Sequence, residues 1–75
     1  MARTNVPEEI RSIWTDLYVH FDKYYLMENT DENWKRFWNE GEQIYLKHNQ
    51  SMFVTDVLGS MSVLISERMR KELNT

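Results

Sequence analysis

Val57-Leu58-Gly59-Ser60-Met61-Ser62-Val63-Leu64-Ile65-Ser66 carries no charge, in a chain where 28% of residues are charged. The stretch lies inside a longer segment from Met52 to Leu73, and its reading decides the fold. As a helix it places Val54, Val57, Leu58, Met61, Leu64, Ile65 and Met69 on one broad apolar face. A second line at the same spacing, Thr55, Gly59, Ser62 and Ser66, holds only small side chains. A helix that is apolar on one side and small on another can be approached closely by more than one neighbour. It therefore reads as the packing centre of a small helical protein.

Working outward, two further amphipathic segments precede it. Pro7 suits a helix start, and Glu8 and Glu9 follow where the helix dipole favours anions. Ile10, Trp14, Leu17, Phe21 and Tyr24 then step by four and three, with Ile13 and Tyr18 widening the stripe, which predicts a helix over about 7–27. Glu28 to Glu32 is a polar break in which Thr30 is a good N-cap. Trp34, Phe37, Trp38, Gly41, Ile44 and Tyr45 make the second stripe, over about 31–48. Gly41 weakens that helix by up to about 1 kcal/mol relative to Ala. It is either merely tolerated or placed for a close approach. His48 to Ser51 has no apolar member and reads as a short connection, with Ser51 a candidate cap. The third helix covers 52–73, and Arg68, Arg70 and Lys71 suit its C-terminus. Three helices joined by short turns predict an all-α three-helix bundle, one domain over 1–75.

Composition narrows the function classes. Seventy-five residues lie near the lower limit for a self-sufficient core, and three Trp, four Tyr and three Phe supply large buried areas per residue. The absence of cysteine removes disulfides and thiolate metal sites and fits a reducing compartment. There is no apolar signal region near Met1 and no run approaching the roughly 20 residues of a membrane span, so a cytoplasmic location is expected. A net charge of -3 argues against binding nucleic acid through its phosphates.

No residue pattern points to chemistry. Asp16, His20 and Tyr24 share one helix face at a spacing of four; the expectation is an exposed His20 paired to Asp16, because two ligands do not make a metal site. His48 is placed to meet the dipole at the end of the second helix. Glu40 and Glu42 flank Gly41 on the expected wet face. Ser60, Ser62 and Ser66 lack a nucleophile elbow and a base. The expectation is a non-enzymatic protein with no cofactor. The start of the third helix, Ser51 to Asp56, has no Arg or Lys and carries an aspartate, so it makes a poor recognition helix; a DNA-binding regulator ranks last.

Protein binding is the remaining class. Tyr18 and Tyr25 fall at stripe edges and Val63 lies nearer the polar side. Together with Thr55, Gly59, Ser62 and Ser66 they form the candidate interface. Two versions stay open: a homodimer through the small-residue line, or a surface shaped for a foreign protein. The pattern of an aromatic-rich helix, a polar turn, TDENWKRFWNEGEQIYLKH over 30–48 and a third helix ending in SERMRKEL over 66–73 resembles small uncharacterised helical proteins of Gram-positive bacteria and their prophages. That resemblance implies a setting in which compact acidic proteins bind and block a host protein, as anti-CRISPR and anti-restriction inhibitors do. It assigns no functional residue.

Overall fold

The structure, a computed structural model, describes residues 5–73. Helices α1 (Glu8–Tyr24), α2 (Asp31–Lys47) and α3 (Met52–Leu73) each pack against the other two, giving an all-α three-helix bundle. Two short connections make α2 antiparallel to both neighbours. Helices α1 and α3 therefore run parallel, as the contacts Trp14–Phe53 near their starts and Tyr25–Arg68 near their ends require.

The helix ends are local chemistry. Pro7 is the N-cap of α1, with extended backbone, and its carbonyl accepts from the N–H groups of Ile10 and Arg11. Thr30 caps α2 as expected, its Oγ1 accepting from the Asn33 N–H at 3.1 Å. Asn33 Nδ2 donates to the Glu28 carbonyl and Trp34 Nε1 to Asn29 Oδ1, so the first turn of α2 pins the α1–α2 connection. Between α2 and α3, Asn49 and Gln50 adopt φ of 61° and 59°, and the Gln50 N–H returns to the Tyr45 carbonyl. Left-handed backbone of this kind at a helix C-terminus reverses the chain, and Asn tolerates it better than Gln does.

Helix α1 stops at Tyr24 rather than near Met27. The reason is tertiary. The Met27 carbonyl accepts from the Arg68 guanidinium at 2.7 Å, which holds the turn against the end of α3. The core comprises Ile13, Leu17 and Tyr24 of α1, Phe37 of α2, and Val54, Leu58, Met61, Ile65 and Met69 of α3. Phe37 is fully buried at the centre, with edge-on contacts to Tyr24, Trp34 and Trp38. Gly41 is buried too, and it serves close approach: a methyl carbon built on it would lie 2.9 Å from Leu58 Cδ1. Gly59 has open space around the same position.

The main departure from the sequence reading is the roll of α1. Its buried line is Ile13, Leu17, His20 and Tyr24, so His20 is inside and Trp14 and Tyr18 are outside. Similarly, Trp38 and Leu64 are exposed although each belongs to its helix's apolar stripe. Each helix buries an arc narrower than its stripe, and the surplus lies along the seams.

A candidate protein-binding face

The roll of α1 leaves a line of side chains at helical spacing on the side toward α3: Ile10, Trp14, Tyr18, Phe21 and Tyr25. Helix α3 answers with Phe53, Val57 and Leu64, ending at Arg68. Between the two lines lies a shallow groove of about 160 Å³ bounded by Trp14, Leu17, Tyr18, Phe21, Val57, Met61 and Leu64. No charged side chain lines it. Its walls are open to solvent: Trp14 is 55% exposed, Tyr18 70% and Leu64 50%.

The groove is built on rigid elements. The Trp14 and Phe53 rings meet edge-on at 5.1 Å, which fixes the upper end. At the lower end Phe21 and Tyr25 pack at 5.2 Å, and the Arg68 guanidinium lies 5.7 Å from the Tyr25 ring. Arg68 is itself held by the Met27 carbonyl and by Glu72, at 2.7 and 2.8 Å. Leu64 and Tyr25 continue the surface toward Glu67 and Lys71, where it becomes charged.

A second cleft, between α1 and α2, is polar. It is lined by Asp16, His20, Lys23, Glu40 and Lys47, among others. Here two expectations are corrected. His20 is buried at 4% exposure rather than exposed, and its ring sits 5.0 Å from Tyr24 and 4.8 Å from Phe37. Its partner is not Asp16, which instead holds His48 Nε2 at 2.7 Å and Lys47 at 2.9 Å. His48 is the C-cap of α2, as its place in the sequence suggests, and its side chain also answers Asp16, 32 residues away. Glu40 is not simply solvated: it accepts from Lys23 at 2.7 Å and from the Tyr24 hydroxyl at 2.5 Å. Glu42 does remain exposed.

The charge balance in this cleft follows from those contacts. Burial pushes the His20 imidazole below its ordinary value, outweighing the nearby Glu40 carboxylate and the Phe37 backbone, which act the other way. His20 Nε2 is buried with no hydrogen-bond partner. The Lys23 ammonium, then the Tyr24 hydroxyl, lower the Glu40 carboxyl, and burial raises the Tyr24 phenol. Lys47 and then His48 lower Asp16 against the opposing effect of burial. These are internal pairings, each charge answered by a neighbour. Among the described residues no group of three or more His, Cys, Asp or Glu side chains could hold a metal ion.

The structure separates the candidate interface residues. Tyr18 and Tyr25 lie on the α1–α3 face, with Tyr25 at its lower edge. Ser66 shares a cleft with Trp34 on the α2 side of α3, and the helical spacing carries Thr55, Gly59 and Ser62 along that same flank. Ser62 Oγ donates to the Gly59 carbonyl at 2.6 Å. Val63 is exposed on the outer surface of α3. The residues that join Tyr18 on one face are Trp14, Phe53 and Leu64. Trp14 and Leu64 sit on the apolar stripes of their helices, which in sequence read as inward-facing. The available signal was the excess of stripe width over what two neighbours can cover.

No helix among the described residues is long and apolar enough to cross a membrane. Comparison with protein-family models, with curated proteins and with solved structures returned no match.

Proposed function

We propose that the protein works by binding another protein through the α1–α3 face, without chemistry of its own. One observation carries this reading: a groove free of charged lining, flanked by Trp14, Tyr18 and Leu64, each at least half exposed. Contiguous apolar surface of this kind marks interaction sites, and Trp and Tyr are the side chains that most often anchor them. The internally paired charges of the α1–α2 cleft leave that side without a comparable invitation. The resemblance to prophage-type proteins adds a setting, a cytoplasmic inhibitor whose exposed face covers a host protein in the manner of the anti-CRISPR and anti-restriction classes.

The test is site-specific photo-cross-linking in cells that express the protein. A benzoylphenylalanine at Tyr18 should give a discrete protein adduct, and the same group at Glu42, exposed on α2, should not. Equal labelling from both positions, or none from position 18, would remove the face from consideration.

A further inference from the structure

We propose that His20 is a proton-operated latch on the α1–α2 seam: on taking up a proton its ring leaves its place against Phe37 and Tyr24 for the polar cleft, and the seam opens locally without unfolding of the bundle. Burial is the first argument. His20 is 4% exposed, its ring lies 4.8 Å from that of Phe37 and 5.0 Å from that of Tyr24, and its Nε2 has no hydrogen-bond partner. The neutral ring fits this place because it carries no charge. Once protonated, both ring nitrogens are donors, and Nε2 would hold a charged N–H with nothing to receive it. A buried charged donor without an acceptor costs far more than a neutral ring, so the proton and the buried position exclude each other.

A way out is the second argument. The cleft beside His20 holds about 350 Å³ and is lined by α1 and α2 alone, so the ring can turn outward without displacing α3. The charges there favour one acceptor. On α1, Asp16 is already held by Lys47 and His48, and the Lys23 ammonium opposes a second cation beside it. On α2, the Glu40 carboxylate favours the charged ring. Its Oε1 takes Lys23 and its Oε2 the Tyr24 hydroxyl, which uses two of the roughly four acceptor positions of a carboxylate and leaves room for an imidazolium. His48, the other histidine, acts in the opposite sense, because its charged form bonds Asp16 more strongly and holds the seam closed. The latch does not depend on what covers the α1–α3 face.

Native-state amide hydrogen exchange of the isotope-labelled full chain, read by NMR at pH 7 and pH 5 over a series of low urea concentrations, tests the latch. Both pH values lie above the ordinary carboxyl value of Glu40, 4.5. After correction for intrinsic rates, the amides of residues 17–24 and 37–41 should lose up to about 25-fold in protection between the two, the ceiling set by an open-state imidazole at its ordinary value of 6.5. At pH 5 their exchange should be nearly independent of urea, the mark of a local opening, while the amides of residues 58–65 follow global unfolding. If the seam amides share the protection and the urea slope of residues 58–65 at both pH values, His20 takes up its proton only when the whole chain unfolds, and the latch is overturned. His20→Phe should leave the urea-independent exchange of the seam insensitive to pH; a response of wild-type size in that variant equally overturns the assignment. His48→Gln should keep the response, and its loss there would move the sensor to His48 and overturn the role of His20.

Discussion

Adding one methyl group at each of the two glycines should have different consequences. Ala is better than Gly in a helix interior by about 0.8–1.0 kcal/mol, and both Gly41 and Gly59 lie inside helices. At Gly59 nothing lies within 4 Å of the added carbon, so the full gain should appear. For a domain of this size that is a rise in Tm of roughly 4–8 °C. At Gly41 the same carbon would sit 2.9 Å from Leu58 Cδ1 and 3.0 Å from Cδ2, inside ordinary contact distance. Leu58 is a buried core residue, so its methyl groups cannot swing into solvent. Overpacking a core costs about 1–3 kcal/mol, which leaves Gly41→Ala between neutral and about 2 kcal/mol destabilising. Urea and thermal unfolding followed by circular dichroism measure both, and the linear extrapolation gives the free energies. A double-mutant cycle isolates the cause: with Leu58→Ala in the background, Gly41→Ala should recover about 1 kcal/mol, because the obstructing side chain is gone. If Gly41→Ala stabilises the wild-type protein as much as Gly59→Ala does, Gly41 does not set the approach of α2 to α3 and the reasoning fails.

Two further expectations concern the α1–α2 seam. His20 has a folded pKa below its ordinary value of 6.5, so the unfolded chain takes up a proton first; stability should be level above about pH 6.5 and fall as the pH drops below it, before the losses tied to Glu40 and Asp16 set in below their ordinary values of 4.5 and 3.8. His20→Phe keeps a ring against Tyr24 and Phe37 and should flatten the limb between pH 6.5 and 5; a limb of the same slope in that variant would assign the effect elsewhere. Tyr24→Phe removes the hydroxyl that Glu40 accepts from, and should cost about 1 kcal/mol, less than the roughly 1.5–3 kcal/mol of a bond to a charged group, because Glu40 is partly solvated. Calorimetry or urea unfolding checks this, and no loss of stability would show that water replaces the bond at no cost.

The sequence by itself determined what depends on near neighbours along the chain. Thr30 with Asp31 and Glu32, Pro7 with Glu8 and Glu9, and the two polar breaks set the number of helices and most of their ends, since capping and dipole effects act within one turn. The apolar periodicity determined that the helices pack together and that α3 contributes the longest buried line. Tertiary structure decided how each helix is rolled about its axis. The α1 stripe from Ile10 to Tyr24, widened by Ile13 and Tyr18, is broader than the arc two neighbours can cover. Which side of it goes inward depends on how Phe37 and Leu17 fill the centre, a volume problem posed by three helices at once. The solution buries His20 against Phe37 and leaves Trp14 and Tyr18 at the α3 seam. The same roll turns Asp16 toward His48 and Lys47, and the end of α1 is set by Arg68, 41 residues from the Met27 carbonyl it binds. Partners that far apart are brought together only by the packing of the helices, so no local pattern announces them.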